Sequence, residues 1–507
     1  MKETYCDGKN QQHSKLQALC SLVEANLVMK LIAIAVILCS LCGVAPASKV
    51  SPKHLAKWTK LNYAWDETHK EEDYKNNGRF VVKNNEIAGI KVWKCKMFLT
   101  VPRWKAGVPS TLNYIDLPAP GTKPVADATL IPYPNWDSNE HKNCKSLQWV
   151  QSMEIDTSGI MWIIDKGDGV CPPKIVLLDL KKNGKEIMSV DVPDNIAGNT
   201  SFMNDIALDT SRQIAYISDA DATDPGIIAF DYKNRKFYRF EDSTLDEEDD
   251  YRLNINGKQY NMTAAVDGIA LSPDRSRVFY CPLTGAHMYS ISTKELLSGT
   301  GRRTTPTTIV DHGPKKTAAD GIVFDCDGNL YYAGLTSNSL WKWVPDFQNI
   351  NVSNISTEVE ISRQDAVQLG WIDSFGITGS TLYFTANNLH RFFSEEMDYS
   401  SANTVGNIHV WSVNIGTTSY MNCPALNRDD SCHRNRAVDT SDDPSDDIVI
   451  ILVIIGCVVL LPGIWYVVGR FVETYKKNEQ SQEGRKESYL NPVVGITTAT
   501  ETEMEPC

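Results

Sequence analysis

A unit of about 50–60 residues recurs six times along the middle of this chain, and a repeat of that period restricts the fold to very few architectures. Each copy reads as a polar residue, a short apolar run, a turn, a second apolar run and a further strand. The copies begin at Ala88, Gln151, Asn204, Asp267, Asp320 and Asp373. Two of them, DGIALSPDRSRVFYCPLTGAHMYSIS from Asp267 and DGIVFDCDGNLYYAGLTSNSLWKWV from Asp320, run nearly in parallel. The runs are rich in Ile, Val, Tyr, Phe and Trp, with Gly, Asp, Asn and Pro at the breaks, which is strand-and-turn chemistry. No long stretch outside one apolar segment near the C-terminus has helical periodicity. Six such units predict an all-β fold, a six-bladed β-propeller of four-stranded blades spanning 48–420. Two β-sandwiches are the competing all-β arrangement, and the even step disfavours them.

In a propeller the first strand of each blade lines the central channel. The aligned starts therefore place Gln151, Asn204, Asp267, Asp320 and Asp373 near one mouth. A polar, acidic ring suits an ammonium group or a cation. The plainer role for such residues is to hold channel waters and to cap turns between blades.

Two apolar segments frame the repeats. Residues 1–47 read as a leader, with a signal-peptide core over 29–47: Met29-Lys30, then Leu31 to Val44, then Ala45-Pro46-Ala47 at the cleavage positions. Ile448 to Gly469 is uncharged and long enough to cross a bilayer. Acidic residues precede it, and Arg470, Lys476, Lys477, Arg485 and Lys486 follow it. The positive-inside rule then assigns 470–507 to the cytosol and predicts a single-pass type I protein, with 421–447 as an acidic, Cys-containing stalk. Sequons at Asn199, Asn261, Asn351 and Asn354 all fall on the exported side and are the expected glycosylation sites. Seven cysteines lie there too. The spacing suggests Cys423–Cys432, Cys144–Cys171 and Cys281–Cys326 as pairs, although connectivity does not follow from sequence.

The net charge of −13 and the lack of a basic run argue against a nucleic-acid partner. There is no HExxH, no GxSxG and no P-loop. His141, His287, His312 and His390 are scattered. Most of Trp93, Trp104, Trp162, Trp341, Trp343 and Trp371 are expected between blades, with one or two at the channel mouth.

The stretches MFLTVPRWKAGVPSTLNYI (Met97–Ile115), CPPKIVLLDL (Cys171–Leu180), NDIALD (Asn204–Asp209), AYISDA (Ala215–Ala220), DGIALSPD (Asp267–Asp274) and DSFGITGSTLYFTANNLHRF (Asp373–Phe392) resemble the yellow / major royal jelly protein family. The resemblance covers about residues 58–415 in order. It implies a secreted six-bladed propeller. Members are linked to melanin pigmentation, some as dopachrome-converting enzymes, others as binders of biogenic amines at the channel mouth. The chain departs from the family in its membrane segment, and in Thr157, where members commonly carry a Cys; that puts a family disulfide to Cys171 in doubt.

The expected function is accordingly a propeller that takes a small aromatic amine or catechol at its channel mouth, without a cofactor. If it is an enzyme, it is a dopachrome tautomerase with Asp267 or Asp320 as base and Asn204 as orienting donor. The alternatives are a non-catalytic cell-surface recognition or adhesion module, and a lactonase-like hydrolase with a divalent cation such as Ca2+ at Asn204 and Asp267.

Overall fold

The computed structural model describes residues 51–119, 121–248, 253–298, 308–363 and 368–423. The leader, most of the stalk, Cys432, the 448–469 segment and the tail lie outside the described residues. Among the described residues no helix is long and apolar enough to cross a membrane.

Six antiparallel sheets form the blades. Their innermost strands are Ile90–Trp93, Val150–Ile155, Met203–Asp209, Val266–Leu271, Ile322–Phe324 and Ile372–Thr378. Each innermost strand touches the next, and the first touches the sixth, which closes the ring. The sixth blade is completed from the other end of the chain. Lys53–Trp58 pairs antiparallel with Ile408–Asn414, and Val125–Ala126 adds a short parallel edge to it. Ring closure is thus a strand pairing between residues some 350 positions apart, such as Trp58 with Ile408.

In blades two, three and five the turn after the innermost strand is made by an Asp at its end or just past it. Asp156 Oδ1 accepts from the backbone N–H of Ser158 and Ile160, Asp209 Oδ1 from Ser211 and Arg212, and Asp325 Oδ1 from Asp327 and Asn329. These are Asx turns, and they account for the acid at the break of the repeat. The two Asp-Gly starts have a second cause. A Cβ on Gly268 would lie 2.2 Å from the Asp320 carbonyl oxygen, and one on Gly321 would lie 2.3 Å from that of Asp373. Only glycine lets the next blade approach so closely.

The blade faces are apolar and buried. Phe230, Phe279, Tyr280, Tyr332 and Trp343 pack between neighbouring sheets, each at most 1% exposed. Trp162, Trp341 and Trp343 join this core as expected.

Cys144–Cys171 is a disulfide, and with its partner supplied by Cys144 the Thr157 position is not needed. The other two expected pairings are corrected. Cys326 bonds Cys423, 97 residues away, and Cys281 is a buried free thiol. Cys281 lies buried near the end of the strand Arg277–Pro282, whereas Cys326 follows an innermost strand and faces the returning C-terminal segment. Proximity in space overrides the short loop that favoured Cys432.

A carboxyl ring at the channel mouth

The five aligned residues converge. Gln151, Asn204, Asp267, Asp320 and Asp373 line one small cavity together with Gly89, Ser152, Asp205 and Ser374. The four polar starts from Gln151 to Asp320 are each 6–8% exposed. The first blade contributes backbone at Gly89 rather than an acid.

A repeated local device sets these side chains. The first two strands of blades two, three, four and six shift register at their start, between Val150 and Ser152, Met203 and Ile206, Val266 and Gly268, and Ile372 and Phe375. A bulge suspends strict alternation, so consecutive residues such as Asn204 and Asp205 can both reach the cavity. Buried acids at the ends of second strands then hold the approach. Asp165 accepts from the N–H groups of Gln148 and Trp149, and Asp219 from that of Phe202.

Within the ring every acid has a hydrogen-bond donor. Asn204 Nδ2 donates to Asp267 Oδ1 at 2.5 Å. Trp371 Nε1 donates to Asp320 Oδ2 at 2.6 Å. Asn387 Nδ2 donates to Asp373 Oδ2 at 2.6 Å, and Ser152 Oγ to Asp205 Oδ1 at 2.9 Å. The Asp267 and Asp320 carboxyls also act on each other, which favours the protonated form of Asp320.

Burial is the main reason these acids keep their protons. It pushes Asp267 up to about 7 and Asp373 up to about 8, and the charges of neighbouring carboxylates add to both. Asp320 is raised well above the usual range, by burial first and then by Asp267 and Asp373. Lys91 sits deeper in the channel, 3.3 Å from Glu154 Oε2, and donates to the Phe375 carbonyl. Burial raises Asp205 as well, and the charge of Lys91 offsets that in part. Among the described residues no cation pairs with Asp267, Asp320 or Asp373, so the ring is an acidic site.

The enclosed space is about 10 Å3. That is room for one water-sized group. An indole or catechol ring does not enter it. What fits is the head of an ammonium group or a small ion. Among the described residues no group of three or more His, Cys, Asp or Glu side chains is arranged to hold a metal ion.

Two tryptophans border the ring. Trp371 is fully buried, bonded to Asp320 and stacked on His390 at 5.9 Å. Trp149 is half-buried, donates from Nε1 to Gln151 Oε1 at 3.2 Å, and packs edge-on against Phe202. Trp149, Asp205 and Asn387 escaped the sequence reading. Asp205 follows an aligned Asn directly, but alternation would have sent it to the opposite face. Of the four scattered histidines, only His390 comes near the ring, through Trp371.

The far end of the channel is covered. The Cys326 N–H donates to the Thr418 carbonyl, Ser419 bridges Asp325, and the Leu208 N–H donates to Tyr420 Oη. With the Cys326–Cys423 bond, these contacts hold residues 417–423 across the end where the innermost strands finish. The four sequon residues Asn199, Asn261, Asn351 and Asn354 are all exposed.

A profile of the family described as major royal jelly protein matches residues 148–410. Protein yellow of Drosophila melanogaster is 25% identical over 373 residues, which cover 68% of this chain and 66% of that protein. Major royal jelly protein 3 of Apis mellifera is 27% identical over 258 residues, 48% of this chain and 46% of that one. The chain thus spans just under two thirds of the length of the yellow protein it matches. Among solved structures, a luciferin-regenerating enzyme superposes with a TM-score of 0.40 at 13% identity, covering 73% of this chain and 97% of its own.

Proposed function

The chain belongs to the major royal jelly protein family, and from that premise we propose that its propeller binds a small aromatic amine, with the ammonium group at the carboxyl ring and the arene outside it. The observation that carries this reading is the convergence of Asp267, Asp320 and Asp373 around a space of about 10 Å3, with no cation paired to them among the described residues. Acids held protonated by burial ionise when a cation arrives, because the new charge offsets the desolvation cost. The half-buried Trp149, bonded to Gln151, offers an aromatic surface next to the ring for the rest of the molecule.

The test is calorimetric titration of the purified protein with serotonin and dopamine near pH 7 in buffers of different ionisation enthalpy. The expected result is saturable binding with net proton release, weakened about tenfold or more by Asp373→Asn. Absence of heat with both amines, or binding without proton release, would overturn it.

A second reading rests on the Asp267–Asp320 pair. A carboxyl with a pKa about 7 beside a protonated partner is poised for proton transfer. In a dopachrome tautomerase the ring would stay outside this space, so Asp267 would take the proton from carbon and Asp320 deliver one to oxygen through a water held between, with Asn204 orienting Asp267. Loss of dopachrome colour that Asp267→Asn abolishes is its expected signature. Colour loss that persists in the variant removes it.

The same proposal includes export by the 29–47 signal, glycans on the four exposed sequons, and anchoring by 448–469. Mobility shifts on enzymatic deglycosylation and resistance to carbonate extraction are the expected outcomes.

A further inference from the structure

Beside the channel mouth lies a cavity of about 690 Å3, built from the N-terminal segment ahead of blade one and from loops of blades one and two. Its size suits a small organic molecule. Its chemistry is opposite to that of the carboxyl ring. Arg103 lines it and is only 7% exposed. Its guanidinium is spent on main-chain carbonyls: Nε on Val108 at 3.1 Å, Nη2 on Asn139 at 2.7 Å, and Nη1 on Leu147 at 3.2 Å and on Gln148. Carbonyl dipoles solvate a cation but do not neutralise it, and a buried charge without a counter-ion is costly. Among the described residues no carboxylate pairs with Arg103; Asp165 and Asp168 act on it only from a distance.

Three more cations line the same space, of which Lys105 donates to the Phe392 carbonyl at 2.8 Å. Arg79 lies over the Tyr74 ring at 3.8 Å, and Lys142 is exposed; neither forms an ion pair among the described residues. Of the acids that line the cavity, Asp168 is taken by His141 at 3.2 Å and by the N–H groups of Val170 and Cys171, and Glu140 accepts from Asn143. Asp137 is the third. The walls carry Tyr74, Trp136 and Trp149; Trp136 is stacked on Trp65 and on His69, each at 5.0 Å, and offers its edge. Flat edges with unpaired cations among them make a site for a molecule that is both aromatic and negatively charged.

We propose that this cavity is a second ligand site, for a flat organic anion of about indole size, its carboxylate facing Arg103, Arg79 and Lys142 and its ring lying against Tyr74, Trp136 and Trp149. The site is independent of the amine reading. Trp149, which lines this cavity and also bonds Gln151, makes the two sites neighbours.

The test uses the full-length protein in detergent, titrated with indole-3-acetate, neutral indole, tryptamine and inorganic sulfate. Indole-3-acetate is expected to bind best, with affinity that falls as salt rises. The double variant Arg79→Glu with Lys142→Glu should weaken it about tenfold or more. Both residues are exposed, so the fold is expected to survive, and an unchanged melting temperature checks that. Asp373→Asn should leave this binding unchanged, which separates the site from the ring. Failure of indole-3-acetate to bind, equal binding of indole or of sulfate, or indifference to the double charge reversal would each overturn the proposal.

Discussion

Trp371 has φ of +59°, a left-handed conformation rare for a bulky side chain. Such a backbone costs on the order of 1–3 kcal/mol and persists only where its surroundings fix it. Here they are the Nε1 bond to Asp320 and the stack on His390. Trp371→Phe keeps the bulk and removes the donor, leaving a buried acid short of a partner. Urea denaturation should register a loss of about 1–3 kcal/mol. The ring acids also fix a pH dependence. Their folded pKa values lie above the ordinary 3.8, at about 7 for Asp267 and about 8 for Asp373. The folded state therefore holds more protons than the unfolded one across this window. Stability from these groups is complete below about pH 3.8 and is lost as pH rises through about 7–8. Asp373→Asn, which cannot ionise, should flatten the decline in melting temperature between pH 6 and 9. The same decline in the variant would mean that Asp373 is not protonated in the folded protein.

The strand Lys53–Trp58 closes the ring, and it carries the opposite pH sensitivity. His54 stacks on Trp411 at 4.2 Å and lies 3.1 Å from His409, both on the strand that Lys53–Trp58 pairs with. Burial lowers His54 to about 4 and His409 to about 3, helped by Lys57 in each case. A histidine whose folded pKa is depressed contributes fully above its unfolded value of 6.5, and that contribution is lost as pH falls through the folded value. Acid should thus loosen the closing strand first. Hydrogen exchange of Ala56 to Trp58 is expected to accelerate between pH 6 and 4 ahead of the blade interiors. Replacing His409 with Asn should remove that acceleration.

At the scale of the molecule, the two ends of the propeller chain do different work. The N-terminal strand completes blade six, and the C-terminal segment covers the channel end, tied by Cys326–Cys423. A bridge across 97 residues restricts the unfolded chain strongly. Cys423→Ser is expected to lower stability by about 2–5 kcal/mol, while Cys281→Ser leaves the disulfide map intact by peptide mass analysis. At the end where residues 417–423 lie, a cavity of about 280 Å3 reaches Lys91 and Glu154 beside Met421 and Asn422, and the cavity lined by Arg103 opens beside Trp149.

Blade number, the position of each innermost strand and the five polar starts were legible in the sequence, because a repeat writes its local chemistry once per blade. Asp-Gly at Asp267 and Asp320 marked both the channel-facing acid and the close approach of the next blade. The tertiary structure alone decided the rest. Which cysteines meet, which end closes the ring, which acids converge and how little room they enclose all depend on distances between residues far apart in the chain. A bulge that turns Asp205 toward the channel, or a buried Arg103 held by main-chain carbonyls, exists only once the blades have packed.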